Sequence, residues 1–290
     1  MQQFFQALTT GLADGSIYAS LALALVLIYK ATEVINFAQG EMAMFTTYIA
    51  WSLIDAGMPY WPAFFLTVFL GFVLGVLIER ILIRPVERAS VLGVVVVFIG
   101  LLVVLNSVAG WIYTYTIKSF PSPFPQQPIL GIRYISAHEL GAIGVTLAVL
   151  ALLYVFFRFT PLGLAMRAGA QNPESSRLVG IRVGWMLALG WGLAAAVGAV
   201  AGMMVAPVVY LDPNMMSGIL LYAFAAALLG GIDSPGGAVL GGFAVGVLEN
   251  VLGAFVIGNE LKLAVALVLI VGVLLVKPSG FFGRVYVTRV

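Results

Sequence analysis

Nine apolar runs, at roughly 8–29, 36–54, 61–82, 91–111, 140–158, 184–206, 218–231, 236–257 and 261–276, divide nearly the whole chain, and a helix needs about 20 such residues to cross a bilayer. A water-soluble core could not absorb them: 62% of the 290 residues are hydrophobic, 9% are charged, and mean hydropathy is +1.10. Inside lipid every backbone N–H and C=O must be satisfied within its own segment, which selects helices. The expected fold is therefore all-α, a polytopic transmembrane helix bundle of 8–9 spans forming one unit over 1–290. The seventh run is short and stops at the break GGIDSPGG (230–237), so it reads as a half-helix or a full crossing. Ala22-Leu23-Ala24 fits a cleavage pattern, but no Lys or Arg precedes it and the apolar run continues to Tyr29, so the first segment reads as a retained span.

Charge sets the expected orientation, because cytoplasmic connections are enriched in Lys and Arg. Arg80, Arg84 and Arg88 flank one connection; Arg158, Arg167, Arg177 and Arg182 surround another; Lys277, Arg284 and Arg289 lie in a tail at 277–290. Putting these inside also puts Lys30 inside and leaves Lys118, Arg133 and Lys262 outside, with the C-terminus in the cytoplasm. The largest outside segment, 112–139, contains KSFPSPFPQQP, whose prolines favour an extended strip. It reads as a connector or as a cap that could meet an external partner. His138 and Glu139 at its end fit a helix N-terminal role.

A net charge of +2 is too small to indicate nucleic acid, and the absence of cysteine excludes disulfides and thiol catalysis. One histidine, with neither HExxH nor CxxC, points to no metal site. No GxSxG or other paired catalytic set is present, so no catalytic residue is assigned. No GxxxxGK[ST] is present either, so a nucleotide-driven process would need its motor on another subunit.

Polar groups inside apolar runs are costly and mark function or interhelical bonding. Asn36, Gln39, Gly40 and Glu41 open the second run; the first three are spaced to share a helix face and Glu41 points elsewhere. They read as lining of a translocation path or as structural bonding. Glu249 and Asn250, deep in the eighth run, pair with polar groups of the second span or face water. Asp14 reads as interfacial and Asn106 as interhelical bonding. The break at 230–237 either bares backbone beside a cavity or makes a tight turn. Glycine pairs Gly71/Gly75, Gly198/Gly202, Gly237/Gly241 and Gly242/Gly246 permit close helix contact, within the chain or between copies.

The sharpest signal is the polar island 160–182, TPLGLAMRAGAQNPESSRLVGIR. Thr160-Pro161 and Asn172-Pro173 are each an N-cap followed by a first-turn proline, so two short helices are expected, the second ending at Gly180. Glu174 and Arg177 form an i,i+3 pair on its polar side, with Leu178 and Val179 as an apolar patch. A prefolded loop of this kind suits docking on a soluble partner; the alternative is a helix lying on lipid headgroups.

Three separated motifs, VINFAQGEMAM (34–44), TPLGLAMRAGAQNPESSRLVGI (160–181) and LLGGIDSPGGAVLGGFAVGVLEN (228–250), resemble the permease subunits of branched-chain amino acid ABC importers of the LivH type. The resemblance implies a bacterial inner-membrane subunit, with a second homologous permease, two cytoplasmic ABC ATPases that carry ATP and Mg, and a periplasmic solute-binding protein. It implies no cofactor in this chain. It also assigns Arg167, Ala168, Asn172, Glu174, Ser175, Leu178 and Gly180 to a coupling loop seated on an ATPase. Family members often carry Gly-Ser where this chain has Asp233-Ser234, which leaves the role of that break open. Urea and short-amide importers share the motifs and stand as the alternative cargo. A stand-alone channel or secondary carrier is a further alternative, kept by Glu41 and Glu249.

Overall fold

A computed structural model describes residues 2–32, 34–86, 89–125 and 136–283. Eleven α-helices follow one another among them: α1 Gln2–Thr32, α2 Gln39–Asp55, α3 Tyr60–Ile78, α4 Val91–Tyr113, α5 Ala137–Phe159, α6 Pro161–Gln171, α7 Pro173–Leu178, α8 Val183–Val209, α9 Met216–Gly230, α10 Pro235–Leu252 and α11 Lys262–Val276. Each of the nine expected runs is a helix. Seven helical stretches are long and apolar enough to cross a membrane, while α2 and α9 span only 17 and 15 residues. Arg88, Arg133, Arg284 and Arg289 lie outside the described residues, as do parts of the loop 112–139 and the tail 277–290.

The bundle is organised around α1, α8 and α10. Most of the α1 and α8 spans is buried within the protein, whereas α4, α5 and α11 present most of their surface outward. Small residues make this possible, since apolar side chains gain nothing by leaving lipid and association depends on close contact. A Cβ at Gly242 would strike Ala19 of α1, and one at Gly246 would strike the backbone of Gly11 and Gly15. Gly71 and Gly75 of α3 lie against Trp191, Ala195 and Ala199 of α8, and Gly198 and Gly202 of α8 against Gln39, Ala43 and Thr47 of α2. Gly237 and Gly241 meet Gly230 and Ala226 of α9. All four glycine pairs thus serve contacts within this chain.

Both short helices begin inside the bundle. The Gln39 side-chain amide of α2 donates to the Ala194 carbonyl (3.1 Å), eleven residues beyond the start of α8 and so about 16 Å along its axis. Residues 34–38 are non-helical and lead into this point, with Asn36 and Ala38 fully buried. Ahead of α9, the Pro213 carbonyl accepts from Asn106 (2.8 Å), fifteen residues along α4 from Val91, or about 22 Å. The two helix starts meet: Gly40 lies beside Met216 and Leu220. Irregular backbone at this depth is tolerated because protein surrounds it.

One end of the bundle carries α6, α7 and the break at 230–237. The break is a tight turn: Gly231 has φ +110°, Ser234 caps α10 by accepting from the Gly237 amide (3.2 Å), and Pro235 takes the first helical position. Residues 281 and 282 cross beneath it, donating from Phe281 N to Leu229 O (2.9 Å) and from Phe282 N to Gly230 O (3.0 Å). At the opposite end Lys118 and Leu211 exchange two backbone hydrogen bonds of 2.9 Å, tying the proline-rich segment to the α8–α9 connection. His138 completes that cap. Its Nδ1 bonds Ser122 Oγ (2.8 Å), its Nε2 bonds the Met204 carbonyl (2.9 Å), and Ser136 and Glu139 form a capping box around it.

Substitutions at glycine should separate packed from open positions. Gly246→Leu overpacks the α1–α10 contact and is expected to cost more than about 3 kcal/mol. Gly144→Leu, at a position with open space around it, should stay within about 0.5 kcal/mol of wild type. Thermal unfolding in detergent micelles measures both.

Candidate functional site

The loop 160–182 folds as its caps dictate. Thr160 Oγ1 accepts from Gly163 N (3.0 Å) and donates to Phe156 O (2.6 Å), so it closes α5 and opens α6 together. Asn172 Oδ1 accepts from Ser175 N (2.9 Å) to start α7. Gly180, at φ +86°, ends the turn, and Ile181 N returns to Ser176 O (3.0 Å). Gly163, Met166 and Gly169 form the buried face of α6; Gly163 lies against the Phe156 carbonyl and Gly169 faces Val183 and Met186 of α8. The loop is therefore seated on the end of α5 and the start of α8.

Its other face is open. Arg167, Asn172, Glu174, Ser175, Leu178 and Gly180 are exposed and Ala168 is half-buried. Leu178 is 89% exposed and Val179 77%, an apolar pair at the tip of a polar loop. Glu174 and Arg177 do not close into an ion pair, which is the expected behaviour of two solvated charges on a short exposed helix. An open groove beside the tip, between α6 and α8, is lined by Ala165, Gly180, Arg182, Trp185 and Met186.

Inside the bundle the polar residues singled out in the sequence fall into two clusters. The first surrounds the start of α2. Asn36 Oδ1 accepts from Ala38 N (3.0 Å) and its amide donates to Gln39 Oε1 (3.4 Å), so Asn36 shapes the turn before the helix and does not lie on its face. Ala38 occupies the N-cap, and no side chain caps α2. Gln39 turns to α8, Gly40 to α9, and Glu41 to α4, where its Oε2 accepts from Asn106 Nδ2 (3.4 Å). Asn106 also bonds Asn214 Oδ1 (3.2 Å) and receives the Tyr115 hydroxyl (3.2 Å), acting as the interhelical bonding group its position suggests.

The second cluster joins α1, α10 and α11. Asn250 Nδ2 donates to Asp14 Oδ2 (2.9 Å), and Asn250 Oδ1 accepts from Lys262 Nζ (2.9 Å). Glu249 Oε1 accepts from the Tyr18 hydroxyl (2.9 Å), and Tyr18 stacks on Tyr222 with ring centroids 4.8 Å apart. Glu249 and Asn250 thus bond α1 and α11, not the second span. Asp14 is half-buried and faces α10. Sequence reading did not connect Tyr18, Tyr222 and Lys262 to this cluster. Only Lys262, a cation at the edge of a run twelve residues from Asn250, gave a sign in advance.

Asn250 mediates between a carboxylate and an ammonium, so removing one charge should strand the other. Lys262→Met is expected to cost about 1–3 kcal/mol, and adding Asp14→Asn should restore roughly half of the loss, because it removes the carboxylate that the first substitution leaves without its cation. Thermal unfolding of the two single variants and the double variant tests this.

Comparison with known proteins supplies the family. Residues 7–274 match the model described as branched-chain amino acid transport system / permease component. The high-affinity branched-chain amino acid transport permease LivH of Salmonella typhimurium is 31% identical, covering 99% of this chain and 98% of its own length. BraD, of the same description in Pseudomonas aeruginosa, is 33% identical with the same coverage. A probable LivH permease of Methanocaldococcus jannaschii is 28% identical over 91% of this chain and 87% of its own. Among solved structures, PsaBC from Streptococcus pneumoniae in complex with Fab covers 96% of this chain and 91% of its own at 16% identity, with a TM-score of 0.44.

Proposed function

The chain belongs to the branched-chain amino acid transport permease family, and from that premise we propose how its parts divide the work of an ATP-driven importer. It is a multi-pass membrane protein and a permease component for branched-chain amino acids. The motor lies elsewhere: two ABC ATPases hold ATP and Mg and press on this chain from the cytoplasm, while a periplasmic binding protein delivers the solute. A second homologous permease completes the path across the bacterial inner membrane. The end bearing α6 and α7 faces the cytoplasm, and with it the C-terminal tail.

The observation that carries this reading is the prefolded loop with Leu178 and Val179 bared at its tip. An apolar pair this exposed on a polar, internally capped loop fits insertion into a groove on a soluble subunit. The loop is continuous with α8, and α8 holds Gln39 through the Ala194 carbonyl. A displacement of Leu178 therefore reaches the start of α2, where Asn36, Gln39, Gly40 and Glu41 form the proposed translocation path. Gly40 faces α9 at the meeting of the two short helices, and discontinuous helices meeting within the membrane are where transporters build solute pathways. Glu249 and Asn250 sit apart from that meeting point, and we assign them to holding α1, α10 and α11 together along one wall of the path.

In the complete transporter, Leu178→Asp is expected to lower leucine uptake about thirtyfold, the cost of losing a buried interface anchor, while the bundle itself folds normally. Gln39→Leu should impair uptake with the complex still assembled. Liposomes holding this chain alone should show no saturable leucine flux; robust flux there would end the case for an external motor.

A further inference from the structure

The end of α3 has no part in the reading above, yet it is built as a clasp. Beyond Ile78 the helix widens into a π-turn over Glu79–Ile83, then tightens into a 3-10 turn over Arg84–Val86. π-turns inside helices are costly and recur at functional positions. Here the turn carries a buried carboxylate. Glu79 is 2% exposed, and it holds Arg80 Nε at 3.8 Å and Arg84 Nε at 3.5 Å.

The two arginines, with Glu79 as their nearby counter-charge, lie against the first turn of α8. The guanidinium carbon of Arg80 lies 3.7 Å from the centroid of the Trp185 ring. The guanidinium of Arg84 fills the space over Gly184, where a Cβ would collide with it. Gly184 and Trp185 follow within five residues of Gly180, which ends the α6–α7 loop. Further along, Gly71 and Gly75 bring the α3 backbone onto α8, and Gly192 of α8 makes room for the Phe72 and Val76 side chains of α3. The same body reaches α2 through Gln39 on the Ala194 carbonyl, through Thr46 beside Gly71, and through Ala43 and Thr47 against Gly198 and Gly202.

We propose that this clasp of Glu79, Arg80 and Arg84 on Gly184 and Trp185 locks α3, α8 and the α6–α7 loop into one rigid body, so that a push on the loop moves α3 together with α8. Arg80 and Trp185 are positioning residues for coupling. The proposal rests on the loop being the point where force enters. Under it, α2 travels with α3 and α8, so motion falls at the seams where this body meets α9 and α1.

The chain contains no cysteine, so spin labels can be placed at will. Ala170→Cys with Leu77→Cys reports the distance from loop to α3, and Ala170→Cys with Leu275→Cys that from loop to α11, all at exposed positions. Trapping the complete transporter with ATP and vanadate is expected to change the second distance and leave the first unchanged. In Trp185→Leu both distances should change. Leucine transported per ATP hydrolysed should fall about fivefold in Trp185→Leu and in Arg80→Gln, and hold in Trp185→Phe, which keeps a ring for the cation. A tryptophan serving only as an interfacial anchor would leave that ratio unmoved on replacement by leucine. A wild-type loop–α3 distance that changes as much as the loop–α11 distance overturns the clasp, as does unaltered coupling in Trp185→Leu. If Leu178→Asp still uncouples in that case, the docking loop stands and only the clasp falls; if it too couples normally, both fall.

Discussion

Close backbone contact along α1, α8 and α10 is the constraint from which the rest of this bundle follows. In hydrocarbon there is no solvent to expel from between helices, so association depends on packing and on interhelical hydrogen bonds. Glycine supplies the first: Gly242 and Gly246 bring α10 onto α1, and Gly71 and Gly75 bring α3 onto α8. With backbones that near, short polar side chains can reach across. Asn250 bonds Asp14, Gln39 bonds the Ala194 carbonyl, and Ser20 bonds Thr146 of α5 at 3.0 Å. Larger residues at the glycines would hold these groups apart and leave them unsatisfied at depth.

This core also explains why two helices can be short. α2 and α9 do not contribute full apolar lengths, and each is preceded by non-helical backbone that lipid would not tolerate. Surrounded by α1, α4 and α8, those segments are shielded, and Asn36 and Asn106 take up part of their bonding. The bundle thereby places two helix starts side by side within its thickness, with Gly40 as the point of contact. In the proposed path this meeting point is the seam that opens, which continuous, tightly packed helices would not offer.

The loop 160–182 follows a different logic. Its structure is local: two N-caps, two first-turn prolines and one glycine in a left-handed conformation define it with little help from the bundle. Its burial is one-sided, and its apolar tip is left without a partner among the described residues. A rigid element exposed in this way, and continuous with the most deeply packed long helix after α1, suits the transfer of force better than a flexible connector would.

Legibility in the sequence tracked the range of the interactions. The positions of the nine runs and the two loop helices could be read from apolar run length and from Thr160, Asn172 and Gly180, because capping and hydrophobicity act between near neighbours; whether 230–237 bared its backbone or turned tightly stayed open until the Ser234 cap and the Gly231 conformation were seen. The glycine pairs were visible, but whether they served this chain or a second copy was not. Asn36, Gln39 and Gly40 looked like one helix face, yet the helix starts at Gln39 and the three turn to different neighbours. Likewise Glu249 and Asn250 were marked as buried polar groups, but their partners, Tyr18, Asp14 and Lys262, are set by how α1, α10 and α11 pack. Composition and caps by themselves determined a helical membrane bundle with a prefolded loop; only tertiary packing decided which polar groups meet, since a side chain several helices away in sequence becomes a partner only once backbones have closed to hydrogen-bonding distance.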